Sequence, residues 1–340
     1  MPRILAAPDK YRGTLTAPEA ANAVAMAAAA AGWDCDVAPV SDGGEGFLDV
    51  FSELGTSKLA RVTGPLGSEV VARWVLGRDP DNPARPVAFV ESALAIGLPL
   101  VAGPAGNDPV RATSTGLGQL VAAAVRTGAK QVVIGVGGSA TTDGGLGAVE
   151  VLAPNGRLPK AEIVVACDVE TKFLDAAAVF GPQKGAGPVQ VALLGRRLER
   201  VAQLYADRFG VDVRDIPSSG AAGGLAGGLA AIGAKLVPGF DLVADKLSLA
   251  ERVADADLVV TGEGYLDEQS FAGKAVGGVA RLAAAAGVPV LIVAGDGRSA
   301  AEEFPYISLV ERFGSERAWS DAAGCIREAG AGWLASGLGA

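Results

Sequence analysis

Residues 131–147 read QVVIGVGGSATTDGGLG: a short run rich in β-branched side chains, a turn of small residues, and the opening of a helix. Gln131 to Ile134 suits a buried strand, and Gly135 to Gly147 suits a tight strand-to-helix turn. Strand, glycine turn and helix in that order form the repeating unit of α/β proteins. Working outward, the same grammar recurs. Arg3 to Ala7 reads as a strand, and Thr16-Ala17-Pro18-Glu19 is a capping box opening a helix that runs to about Ala31. Cys35 to Val40 is a second strand running into SDGGEG at Ser41 to Gly46, with a helix from Phe47 to Leu54. Beyond the central stretch come a strand Ile163 to Cys167 ending at Asp168, an amphipathic helix over 190–208, and SSGAAGGLAGGLAAIGA from Ser218 to Ala234. That last stretch is too glycine-rich for a free helix and is expected to pack against another backbone. The grammar resumes with Asp257 to Thr261 leading into GEGYLDEQS, a helix from Lys274 to Ala286, and strands Val288 to Ala294 and Tyr306 to Val310. Only the region from Val62 to Glu91 differs, reading as a hairpin around TGPLG followed by one more strand. The expectation is an α/β chain of two domains: a discontinuous one from residues 1–60 and 263–340, and an inserted one from 61–262. Motif-bearing strand ends would share one cleft.

Composition narrows the function. Of 340 residues half are hydrophobic, enough for a sizeable core, and 29 Lys and Arg against 38 Asp and Glu leave a formal charge of −9. No basic stripe is present to meet a phosphate backbone or an anionic membrane, so neither nucleic acid nor membrane is an expected partner. Histidine is absent, which excludes imidazole-based triads and metal sites. Cys35, Cys167 and Cys325 are far apart, which argues against a disulfide framework or zinc site and for a cytoplasmic protein. The longest apolar stretch, Leu282 to Gly295, is broken by Gly287 and Pro289, so no membrane span is expected.

Carboxylates recur after predicted strands, in or beside glycine: Asp9, Asp42, Glu45, Asp143, Asp168, Glu263 and Asp267. In open α/β sheets ligands bind at the carboxyl ends of strands, although any one of these could be an ordinary turn or cap residue. Gly135-x-Gly137-x-x-Ala140 has the spacing of a dinucleotide fingerprint but lacks the acidic residue about twenty positions on. It reads as an anion cradle or as a plain tight turn. Gly273-Lys274 is followed by Ala275, so there is no Walker A loop. Lys10, Arg12, Lys184 and Lys274 are the cations nearest these motifs. Carboxylates for magnesium, lysines for phosphate oxygens and glycine loops for close approach together describe phosphoryl transfer.

The motifs APDKYRGTLTA (Ala7 to Ala17), SDGGEGF (Ser41 to Phe47), TSTGLGQLV (Thr113 to Val121) and GGSATTDGG (Gly137 to Gly145) resemble those of the type 1, bacterial glycerate kinase family. VACDV, VFGPQKGA, GAAGGLAGGL and TGEG, the last with a later Asp, Gln and GK, follow in the family's order. The resemblance implies a discontinuous flavodoxin-like (Rossmann-like) domain carrying an inserted restriction-endonuclease-like domain. It also implies ATP- and magnesium-dependent phosphorylation of D-glycerate to 2-phosphoglycerate. A kinase for another small hydroxy acid or polyol, or a noncatalytic ligand-binding paralogue, is the alternative. On this likeness Asp42 or Asp168 would be the base, and Lys184 and Lys274 would neutralise the phosphoryl group. Asp9, Lys10, Glu45, Glu263, Tyr265, Asp267 and Gln269 would meet the substrate. Gly137, Gly138, Ser139, Thr141, Asp143, Gly223 and Gly224 would meet the nucleotide, and Asp143 with Glu263 the metal. The chain departs from the family pattern with Lys10 for Ser, Phe47 for Thr, Ile96 for Ser, Thr142 for Asn, Tyr265 for Arg and Val276 for Pro. The expected partner is a small molecule, and a homo-oligomer is left open.

Overall fold

The helix Ala17–Ala30 starts where its residues require: Thr16 N donates to the Glu19 carboxylate at 2.8 Å, while Glu19 N donates back to the Thr16 hydroxyl. The computed structural model describes every residue except 81, 157–159, 272–273, 298–303 and 337–340, and all of Gln269 but its side chain. The strands, in chain order, are β1 Arg3–Ala6, β2 Asp34–Val37, β3 Gly55–Thr63, β4 Glu69–Arg78, β5 Pro86–Glu91, β6 Gln131–Gly135 and β7 Glu162–Cys167. They continue with β8 Lys235–Pro238, β9 Leu258–Thr261, β10 Tyr265–Leu266, β11 Val290–Ala294, β12 Asp296–Gly297 and β13 Tyr306–Ser308. The chain divides into two units, Met1–Asp42 with Phe240–Ala340, and Gly43–Gly239.

In the first unit a five-stranded sheet runs β13-β11-β9-β1-β2, every pair parallel. Counting only this sheet's strands in chain order gives 2-1-3-4-5, the order of the flavodoxin-like doubly wound sheet, whose ligand crevice lies where the order reverses, between β1 and β9. Strand β11, VLIVA, is buried throughout, as a parallel sheet covered on both faces demands. Ile4, Leu258 and Leu291 form a core with Ala20, Val24, Ile326 and Ala329 from the helices Ala17–Ala30 and Ala322–Ala335.

The second unit is built on a six-stranded sheet ordered β3 to β8 in sequence. The pairs β3–β4 and β4–β5 are antiparallel; those from β5 to β8 are parallel. Its core gathers Trp74, Val90, Leu117, Val132, Leu198 and Leu229. Among the described residues no helix is long and apolar enough to cross a membrane.

The breaks expected at 60/61 and 262/263 lie elsewhere. Gly43 sits against Ala166, and Phe47 against Gly135, so the segment after Asp42 belongs with β6 and β7. Strand β9 instead pairs with β1, so it joins the first unit. The helix expected over Phe47 to Leu54 ends at Val50 and gives way to one tight turn, Ser52–Leu54, because β3 already begins at Gly55.

Glu162 opens β7 and gathers three donors: Lys235 Nζ at 2.7 Å, Gln131 Nε2 at 3.2 Å, and Arg85. Hydrogen bonds from Lys235 and Arg85 hold its carboxyl down at about 2, below the usual 4.5. A depressed folded value means the stabilisation is whole above about 4.5 and is lost as pH falls through about 2. Glu162→Gln should therefore cost about 1 kcal/mol near neutral pH, solvent screening limiting the loss, and nothing once both chains are below about pH 2. Urea titrations at the two pH values provide the check. A gap that persists in acid would trace the loss to packing instead of charge.

Candidate active site

At the switch point of the first unit the ladder between β1 and β9 continues past both strand ends. Ala7 N donates to Val260 O at 2.8 Å, Asp9 N to Gly262 O at 2.9 Å, and Gly264 N to Lys10 O at 3.3 Å. Val40 N donates to Pro8 O at 3.0 Å, drawing the end of the next segment alongside. These bonds bring Asp9, Lys10, Asp42 and Glu263 together. Gly262 has to be glycine here, since a Cβ would lie 1.7 Å from Val293 O.

The cluster is electrostatically loaded. Asp9 is 6% exposed; its Oδ1 accepts from Lys10 N at 2.7 Å and lies 3.5 Å from Lys10 Nζ. Lys10 Nζ also lies 3.8 Å from Asp42. Burial, aided by the nearby charges of Asp42 and Glu263 and opposed by Lys10, pushes the Asp9 carboxyl up to about 7. Burial works against the Lys10 charge, but Asp9 and Asp42 outweigh it and hold the amine above the ordinary lysine value. Glu263 is also raised, by burial against the Ser270 hydroxyl and Lys274, and its Oε1 is buried with no hydrogen-bond partner. Asp267 closes a turn by accepting from Ser270 N at 3.0 Å, and Lys274 caps the helix Ala275–Ala286. Tyr265 stands 59% exposed on β10, and the side chain of Gln269 lies outside the described residues.

In the second unit the end of β5, the turn after β6 and the last residues of β7 meet the segment 43–48. Glu91, buried at the end of β5, accepts from Gly46 N at 3.2 Å and Leu48 N at 3.0 Å. Glu45 and Asp168 are exposed. Several expectations need correction here. Asp143, expected to hold nucleotide and metal, has its oxygens taken by four donors: Ser114 N and Oγ at 2.8 Å, Gly145 N at 3.0 Å and Gly147 N at 3.3 Å. It ties the turn after β6 to the helix Thr115–Arg126. Lys184, expected on the phosphoryl group, is 3% exposed and donates to Thr141 O at 2.6 Å and Ser139 Oγ at 2.9 Å. Its burial, only partly offset by Asp143, lowers the amine to about 7. Ser139 and Thr141 are thereby buried supports of the turn.

Glycines expected to admit phosphate admit neighbouring backbone instead. A Cβ on Gly137 would lie 2.7 Å from Gly44 Cα, on Gly223 2.1 Å from Thr141 O, and on Gly224 2.9 Å from Gly144 Cα. Ala222, Gly223 and Gly224 form a left-handed turn at the head of the helix Ala221–Ala231. Gly138, exposed and at φ 60°, differs from the other three: its Cβ position meets only the Ala93 side chain, at an ordinary contact distance of 3.6 Å. Among the described residues no group of three or more Asp, Glu or Cys is spaced to hold a metal ion.

The sequence matches the family model described as Glycerate kinase family over residues 4–154 and 153–332. The chain belongs to the glycerate kinase family. It is 38% identical over 330 residues to the glycerate 2-kinase of Escherichia coli K12, covering 86% of this chain and 85% of that one. Its identity to the glycerate kinase of Halalkalibacterium halodurans is 37%, covering 87% and 86%. A crystal structure of putative glycerate kinase 2 from Salmonella typhimurium LT2 superposes with a TM-score of 0.83 at 35% identity, over 98% of both chains.

Within the glycerate kinase pattern the departures now sort by place. Phe47, Ile96, Thr142 and Val276 are buried, Phe47 packing edge-on to Phe51 at 5.0 Å. They alter packing. Lys10 lies inside the acidic cluster, and Tyr265 is exposed two residues beyond Glu263. Sequence reading missed Ser114, whose hydroxyl joins Asp143 to Ala148 N at 3.0 Å, and Glu91. A lone acid ending the apolar strand PVAFVE was the signal for Glu91.

Proposed function

We propose that the protein is an ATP-dependent, magnesium-requiring kinase that phosphorylates D-glycerate to 2-phosphoglycerate. The observation that carries this reading is the Asp9, Lys10, Asp42 and Glu263 cluster at the switch point of a chain belonging to the glycerate kinase family. Phosphoryl transfer demands little covalent chemistry from a protein; positioning and charge do most of the work. Lys10, Arg12 and Lys274 are the cations within electrostatic reach of the cluster to meet an anionic substrate, with Tyr265 as a neutral donor.

Asp9 replaces Asp42 and Asp168 as the proposed proton acceptor. A general base works best when its own value lies near the working pH, and burial sets Asp9 at about 7. It would receive the proton of the attacking hydroxyl, and Lys10 would hold its carboxylate in place through the 2.7 Å backbone bond.

Magnesium prefers oxygen donors and keeps most of its waters, so one or two carboxylates suffice. Glu263, with Oε1 buried and unpartnered, and Asp42 fit that requirement. The ion, carried with the nucleotide, would draw charge from the transferring group.

The test is ADP release from ATP and D-glycerate, followed with and without magnesium, with the product's phosphate position read by phosphorus NMR. ADP release that needs both glycerate and magnesium supports the reading. Magnesium-saturated enzyme that releases no ADP with glycerate but does so with another hydroxy acid would transfer the reading to that substrate.

A further inference from the structure

Strand β3 ends the six-stranded sheet and, among the described residues, pairs only with β4. It is nine residues long, six of them exposed, and contains neither proline nor a bulge, two of the usual protections of an edge. Its hydrogen-bonding direction follows from the turn. Gly64 N donates to Ser68 O at 2.6 Å, so the next pair, Thr63 with Glu69, points its amides away from the partner, and Thr63 N donates outward to Gln119 Oε1 at 2.7 Å. Antiparallel pairs alternate, so Arg61, Leu59 and Ser57 also direct their N–H and C=O groups off the sheet.

Beside this edge lies a groove of about 710 Å³. Its helical wall is one face of Thr115–Arg126, with Gln119, Ala122, Ala123 and Arg126 at the spacing of successive turns. The alanines leave room at the middle and the longer side chains stand at the ends. An extended segment lying there would pair with the outward amides on one side and set alternate side chains against the helix on the other.

We propose that this groove binds an extended acidic peptide segment as an added strand of the sheet. Charge selects the occupant. Arg61 and Arg126 line the groove against one carboxylate, Glu69, which already pairs with Arg61 at 3.0 Å, and exposed Lys58 lies on the same strand, in a chain whose formal charge is −9. A second copy of β3 would set Lys58 and Arg61 near their own equivalents, whereas an acidic strand meets them with opposite charge.

Fluorescent acetyl-(Val-Glu)4-amide and acetyl-(Val-Lys)4-amide, titrated with the full-length protein by anisotropy, test the proposal. The acidic peptide should bind saturably and weaken about tenfold between about 50 and 300 mM salt. Arg61→Glu with Arg126→Glu, both exposed, should weaken it by at least about tenfold, and so should Leu59→Pro, which removes one outward N–H. ADP release should be unchanged in all variants. Failure of the acidic peptide to bind wild-type protein, equal binding of the basic peptide, or a dimer in sedimentation that Leu59→Pro dissolves would each overturn it.

Discussion

Asp9→Asn should slow phosphoryl transfer by roughly 10²–10⁴-fold and at the same time make the protein more stable in mild alkali. The rate loss follows from removing the proton acceptor while keeping the shape of the side chain. The stability gain follows from the sign of the shift. Burial raises the folded carboxyl from 3.8 to about 7, so ionising it costs the folded state free energy that is absent below about 4, grows between the two values and is complete above about 7. Asparagine never ionises. After the lost attraction to Lys10 is counted, the variant should gain roughly 1–3 kcal/mol above neutral pH and little near pH 4. Paired urea titrations at the two pH values, with kcat measured beside them, make the check. A variant that turns over at the wild-type rate removes Asp9 from the chemistry, and one that is less stable in alkali denies the cost of its charge.

Asp143→Ala should have the opposite character: roughly 3–5 kcal/mol of stability lost, with turnover per folded molecule nearly intact. Four donors converge on this carboxylate, and truncation would leave the backbone N–H groups of Ser114, Gly145 and Gly147 without their acceptor in the interior. Each such group costs about 1–3 kcal/mol when unpaired, with inward relaxation recovering part of the sum. The urea midpoint and the magnesium dependence of kcat decide the matter. An unchanged midpoint with a steeply raised magnesium requirement would return Asp143 to the metal.

These two residues show what the sequence could and could not disclose. Both are aspartates in small-residue surroundings after an apolar strand, and the pattern alone does not tell an acid that faces a ligand from one that bonds its own turn. The difference lies in residues remote in sequence: Ser114 fills Asp143, whereas Asp42 and Glu263 crowd Asp9. Glycine carries the same ambiguity. Gly137 was legible as a point of close approach, but the partner proves to be Gly44, ninety-three residues earlier, so the small side chain serves backbone contact. Local grammar was more transparent. The Thr16 capping box, the strand and turn around Gly135, and the α/β class all follow from short-range patterns. The place where the chain passes between units did not, because β9 and β3 read as strands whichever sheet they join.

The parallel pairing of β1 with β9 has a consequence for synthesis. Ile4 waits for Leu258, and at roughly 5–20 residues per second the ribosome needs about 10–50 s to make the intervening chain. During that interval Gly43–Gly239, whose strands all lie within its own span, can fold as it emerges. Strand β1, an interior strand of the finished five-stranded sheet, has only β2 to pair with. Until β9 is made, the nascent chain therefore carries an apolar strand with one side unpaired, the condition under which chaperone binding competes with aggregation.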